Sequence, residues 1–183
     1  MANMQRNTLI KLLNTLNTML NANNEFMELL IIGGANMCLV QKSRNLTHDI
    51  DSYTKSKQLV QKYRVMVSKA MKVDKKWLND VGDMFVTEMM LTDAYLFTEF
   101  SNLKIYSPTD QAMLALKIVS GRDEKVSKDV EDAAFLVKKL GINSIDEVKN
   151  IVNYYKPGFW GDWGYEEQYC KKVFEKANTP FLL

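Results

Sequence analysis

The stretch Leu29–Thr54, reading LLIIGGANMCLVQKSRNLTHDIDSYT, constrains the fold more than any other part of the chain. It opens on four consecutive apolar residues, Leu29-Leu30-Ile31-Ile32, the pattern of a strand buried on both faces. Gly33-Gly34 ends that strand where a helix can begin. Two glycines there permit a tight turn that bares the first helical N–H groups to an anion. A helix is expected over Ala35 to about Lys42, then a polar loop holding Arg44 and Thr47. Asp49-Ile50-Asp51 reads as extended chain, in which alternate side chains share a face. Ile50 then turns to the core, with His48 on its side, while Asp49 and Asp51 project together. Two adjacent carboxylates repel, and a divalent cation holding nucleotide phosphates would offset that repulsion. The plainer alternative is an ordinary βαβ unit whose aspartates are solvated at an edge.

The chain has 183 residues, enough for one domain with a proper core, or one domain and a small helical appendage. A net charge of +2 is too mild to argue for nucleic-acid binding by itself. Cys38 and Cys170 lie far apart, and His48 is the single histidine. Neither a zinc site nor a disulfide framework is supported, so a reducing cytoplasm is expected. No apolar run reaches membrane-spanning length, and the N-terminus lacks the apolar core of a signal peptide.

Leucines at 9, 12, 13, 16 and 20 fall at helical spacing, predicting an amphipathic helix over Thr8–Ala22 and a strand over Phe26–Ile32. Lys55 to Lys76 carries eight cations against the one acid Asp74, with Leu59, Tyr63, Met66 and Ala70 as an apolar stripe. That is mainly a helix with a cationic outer face, either simply solvated or a surface for the phosphates of an acceptor. Trp77-Leu78-Asn79-Asp80 ends it. Ala94–Phe97 and Leu103–Tyr106 look like two strands around a turn at Ser101-Asn102.

Ser107-Pro108-Thr109-Asp110 is a helix start, with Ser107 fitting the N-cap and Pro108 the first helical position. The helix to Ser120 is apolar nearly all round, and Lys117 sits in its middle. A buried ammonium without a partner is costly, so a carboxylate or a ligand phosphate is expected beside it. The next helix, about Val126 to Leu140, places Asp129 at the margin of its apolar face, a plausible partner, and Asp132 one step further towards solvent. Gly141 should end it, Ser144-Ile145-Asp146-Glu147 is a capping box, and a glycine-aromatic turn at 157–164 precedes a last helix from Tyr165 to about Lys176.

The ordered set of apolar strand, Gly33-Gly34, short helix, Arg44-x-x-Thr47 and Asp49-Ile50-Asp51 resembles the nucleotidyltransferase superfamily signature. The block also looks like bacterial proteins of that fold related to the AbiEii-type abortive-infection toxins. Trp77-Leu78-Asn79 and the run from Ser107 through Lys117, Arg122, Lys128-Asp129 and Asp132 fit a small branch of that superfamily, over about residues 26–155. The resemblance implies an α+β fold: a mixed sheet flanked by helices over 1–106, and a helical C-terminal part over 107–183 packed on it. It implies Asp49 and Asp51 as ligands of Mg2+, Gly33 and Gly34 as the phosphate turn, and Arg44, Thr47, Lys117 and Arg122 as nucleotide-side residues. Lys117 also counts, with Asp129 and Asp132 on the acceptor side, among the catalytic set. Relatives usually carry a third metal-binding carboxylate on a later strand, and Glu99 is the candidate here. The implied activity is transfer of a nucleoside monophosphate from a nucleoside triphosphate to an RNA end or protein hydroxyl, in a toxin–antitoxin or phage-defence setting with a cognate toxin or antitoxin. The alternative is a non-catalytic binding or toxin-neutralising module on the same scaffold.

Overall fold

A computed structural model describes residues 3–121, 128–159 and 165–177. The chain divides into two compact units, Met1–Val86 with Ala94–Pro108, and Thr87–Asp93 with Thr109–Leu183.

The first unit is α+β. In chain order it contains β1 (Met4–Gln5), α1 (Arg6–Ala22), β2 (Met27–Ile32), α2 (Gly33–Leu39), β3 (Leu46–Thr47), β4 (Ile50–Tyr53) and α3 (Lys57–Met71). A 3-10 turn, Lys75–Trp77, leads into β5 (Leu78–Asp80), and a second, Gly82–Met84, follows it. The helix α4 (Glu88–Thr92) belongs to the second unit, and β6 (Tyr95–Glu99) with β7 (Leu103–Ser107) returns to the first. Five strands form one mixed sheet in the order β5-β4-β2-β7-β6, while β1 and β3 form a separate antiparallel pair. In the five-stranded sheet β2 runs parallel to β7 and antiparallel to β4, and β4 runs parallel to β5.

Why this arrangement forms is visible in its core. Leu9, Leu12, Leu13, Leu16 and Leu20 of α1 and Val60, Tyr63 and Val67 of α3 pack with Leu29, Ile31, Ile50, Leu78, Leu103 and Ile105 of the sheet. The alternate residues Leu30 and Ile32 are buried too, so the central strand β2 is covered on both faces as its unbroken apolar run requires. Trp77 is fully buried, and its indole N–H donates to the Arg64 carbonyl at 3.0 Å, which anchors the start of β5 against α3.

The second unit is helical, with α5 (Asp110–Ser120), α6 (Asp129–Leu140), α7 (Ile145–Tyr155) and α8 (Tyr165–Ala177) following α4. Helix α5 is buried from Ala112 through Ile118 and packs against α6, α7 and α8. Left-handed glycines at 121 and 141 end α5 and α6. The Ser144 hydroxyl accepts from the Glu147 N–H, the expected cap, and bonds the Glu147 carboxylate at 2.9 Å. The start of α5 differs from expectation. Ser107 belongs to β7, paired with Tyr95, and the cap is Thr109, whose hydroxyl accepts from the Ala112 N–H at 3.1 Å. Arg122, the start expected at about Val126 for the following helix and the 160–164 part of the aromatic turn lie outside the described residues. Among the described residues no helix is long and apolar enough to cross a membrane.

Candidate functional site

The first unit gathers six of the residues singled out above. Gly33 opens α2 with φ +61°, a left-handed conformation that favours glycine. A Cβ there would also lie 3.1 Å from Asp51 Oδ2, so the turn approaches the carboxylate as closely as backbone alone can. A Cβ on Gly34 would meet the Arg44 guanidinium and stand 2.5 Å from Thr47 Oγ1. Two side chains from the following loop therefore fill the space that the second glycine leaves. Thr47 is buried, held in β3 by pairing with Met4 of β1, and its hydroxyl donates to the Asp49 carbonyl at 3.2 Å.

Strand β4 then sets out the carboxylates. Ile50 is fully buried, and Asp51 lies beside Ile32 of β2 on the sheet face away from α1 and α3. The residue beside Asp51 on the other neighbour is Asn79 of β5. The Asn79 amide Nδ2 donates to Asp49 Oδ2 at 3.0 Å and to Asp51 Oδ1 at 3.4 Å, so one side chain bridges both carboxylates. Ser52 Oγ ties the strands together by donating to the Asn79 carbonyl at 2.9 Å. Asp49 and Asp51 are half-buried, within reach of a ligand from solvent.

This donor set fits Mg2+. Two carboxylates, both hard oxygen ligands, converge under the Asn79 N–H group beside a glycine turn, and magnesium takes its remaining oxygens from water and substrate phosphates. Among the described residues no three His, Cys, Asp or Glu side chains gather to hold a metal by themselves. Glu99 supplies no third. It ends β6 at the opposite edge of the sheet, separated from β4 by β2 and β7. His48 also departs from expectation: it is exposed rather than turned to the core. Chain alternation breaks between β3 and β4, because β3 pairs with β1 and the five-stranded sheet begins only at Ile50.

Lys117, Asp129 and Asp132 come together in the second unit. The Lys117 ammonium donates to Asp129 Oδ1 at 2.8 Å and lies 2.7 Å from Asp132 Oδ2, with all three side chains at most 5% exposed. Asp132 is thus buried, not solvent-facing. Helix α6 packs on both α5 and α8, which widens its covered arc beyond the stripe of apolar residues.

The residue that pattern reading passed over is Asn79. The Trp77-Leu78-Asn79 block carried the resemblance without a role for Asn79, and one apolar residue, Leu78, between a tryptophan and two polar residues is too short a run to mark a strand.

Comparison with known proteins follows the same line. A crystal structure of an antigenic nucleotidyltransferase-like protein from Paracoccidioides brasiliensis is similar to this chain with a TM-score of 0.52 at 12% identity, over 100% of this chain and 97% of that one. At that identity the likeness concerns the fold. No curated protein matches the sequence. Residues 7–157 match the family described as nucleotidyltransferase of unknown function (DUF6036), and the chain belongs to that family.

Proposed function

We propose that the chain is a Mg2+-dependent nucleotidyltransferase that moves a nucleoside monophosphate from a nucleoside triphosphate to an RNA end or a protein hydroxyl. The observation that carries this reading is the convergence of Gly33, Gly34, Arg44, Thr47, Asp49 and Asp51 in one unit. Arg44, which lies against the glycine turn, would bind phosphate, and Asp49 with Asp51 would hold the cation. Magnesium, when bound, neutralises phosphate charge. In the transfer, the acceptor oxygen bonds to the α-phosphorus, the bond to the pyrophosphate oxygen breaks, and the hydroxyl proton is released. The roles proposed for Lys117, Asp129 and Asp132 are to order the helical unit, with Arg122 as a nucleotide-side contact.

Four lysines support a polyanionic acceptor. Lys57 pairs with Asp83 and Lys62 with Glu25, but Lys69, Lys72, Lys75 and Lys76 are all exposed. Lys75 and Lys76 open the turn that leads into β5, whose Leu78 lies beside Ile50, so this turn stands at the Asp49 end of the strand pair. The setting we propose is cytoplasmic, in a toxin–antitoxin or phage-defence system with a cognate toxin or antitoxin; its support is the resemblance of the motif block to abortive-infection toxins. The second reading, a non-catalytic binding or toxin-neutralising module, is favoured by Asn79 standing where a third carboxylate would complete a two-metal centre.

Incubation with labelled nucleoside triphosphates, Mg2+ and total RNA or cell extract separates the two. Transfer of label that falls steeply with salt supports an enzyme with an RNA acceptor, because each phosphate contact releases counterions. Label transferred to protein selects the hydroxyl acceptor. Triphosphate binding with no transfer to either selects the binding module.

A further inference from the structure

Asn79 touches both carboxylates of the proposed site, yet the transfer chemistry above gives it no part. Its placement is fixed by the sheet: parallel pairing sets Asn79 beside Asp51, and aligned residues on neighbouring strands share a face. Neither flanking residue could substitute. Leu78 lies in the core, and Asp80, one pleat further, projects from the opposite face of the strand. The buried Asp80 Oδ1 finds no hydrogen-bond partner among the described residues. Strand β5 thus carries a carboxylate on the wrong face and an amide on the right one.

We infer that Asn79 is the third protein ligand of the cation site, an inference that rests on the proposed nucleotidyltransferase reading. An amide has two different ends. Through its N–H end, Asn79 orders two mutually repelling carboxylates at 3.0 and 3.4 Å. Through its carbonyl end it offers a neutral oxygen of the kind that hard cations accept. The terminal torsion of asparagine is broad and roughly two-fold, so turning the amide over exchanges one end for the other without moving the backbone. The same side chain can therefore hold the site open when it lacks a cation and complete it when it has one. The site then presents two formal negative charges where a third carboxylate would give three. It holds a cation weakly until a triphosphate adds its own oxygens, which couples cation binding to substrate binding.

The test uses Mn2+ as a spin probe on the full chain, alone and with an equimolar mixture of the four ribonucleoside triphosphates, in wild type, Asn79→Asp, Asn79→Leu and Asp51→Asn. Asn79→Asp is expected to tighten binding of Mn2+ alone by about tenfold, because it adds a charged oxygen ligand. Asn79→Leu, close in volume but unable to ligate, is expected to weaken Mn2+ binding in the presence of triphosphate by about tenfold. Opposite signs are the signature of a ligand. Both variants weakening binding alike, or both staying within about twofold of wild type while Asp51→Asn loses binding, would overturn the inference and leave the cation site standing. If wild type binds no Mn2+ with triphosphate, or Asp51→Asn binds it as wild type does, the nucleotidyltransferase reading falls and this inference with it. Should Asn79→Leu fail to fold, the sign of the Asn79→Asp change decides alone.

Discussion

Each unit of this protein holds a pair of aspartates, and the two pairs live under opposite physical regimes. Asp129 and Asp132 are buried, and a buried ammonium lies within 2.8 Å of each. Taking those charges out of water is expensive, and the cost is offset only because the three groups are buried together. Asp49 and Asp51 are half-buried, and the side chain that bridges them is a neutral amide. The same residue type therefore does different work. Where the counter-charge is part of the chain, the cluster holds helices together. Where the bridging donor is neutral and the site opens to solvent beside a glycine turn, the cluster is suited to a cation that arrives from outside.

The sharpest way to break this contrast is Lys117→Met. It removes the ammonium that two buried carboxylates share in the helical unit, and the expected loss is about 3–5 kcal/mol, a fall in Tm of about 10 °C or more. Adding Asp129→Asn and Asp132→Asn to that variant should recover most of it, since no uncompensated charge remains. A Tm for Lys117→Met close to wild type would mean the triad is dispensable to the fold, and the distinction between the two clusters would fail. Gly34→Ala probes the other cluster with a smaller effect. Its Cβ would displace the Arg44 guanidinium and crowd Thr47 Oγ1, so triphosphate affinity should drop about tenfold while stability falls by only about 1 kcal/mol. Unchanged affinity, measured by calorimetry, would remove Arg44 and the glycine turn from the site.

The smallest effect sets the baseline for ion pairs at the surface. Hydrogen bonds from Lys62 and then Tyr63 hold the Glu25 carboxyl below its ordinary value of 4.5, and the Glu25 bond in turn raises Lys62. The carboxylate's share of stability is thus present above pH 4.5 and is lost as pH falls through its lowered value. The lysine's share is present below 10.5 and is lost as pH rises through its raised value. Glu25→Gln should lower Tm slightly at neutral pH, with the difference from wild type closing at both extremes. A difference that persists unchanged in acid would contradict the assignment of the effect to this charge.

Much of the scaffold was legible in the chain because its signals are local. The unbroken apolar run Leu29–Ile32 marked the strand expected over Phe26–Ile32 and found at Met27–Ile32, and the alternation at Asp49-Ile50-Asp51 foretold that Ile50 would be buried and the carboxylates would share a face. An apolar helix around one lysine foretold an acid beside Lys117. What stayed hidden depends on pairing between distant segments. Asn79 acquires its position only when β5, three residues long, aligns with β4 across an intervening helix. Asp132 looked solvent-facing because the neighbours of α6 cover a wider arc than its apolar stripe, and Lys117 of α5 lies 2.7 Å from its carboxylate. His48 was misplaced because the pairing of β3 with β1 interrupts the alternation just before β4.

The most direct test is a calorimetric titration of nucleoside triphosphate into wild type and Asp51→Asn, each with Mg2+ and with chelator. Asparagine keeps the size of Asp51 and can still accept the Asn79 amide, but it removes one charge from the pair. Binding is expected in wild type with Mg2+, weakened at least about tenfold by chelator or by the substitution. The Tm of nucleotide-free Asp51→Asn should be equal to wild type or slightly higher, because like-charge repulsion is relieved. Triphosphate binding that ignores both Mg2+ and Asp51→Asn would contradict the cation site, as would a marked loss of Tm that makes Asp51 a structural anchor.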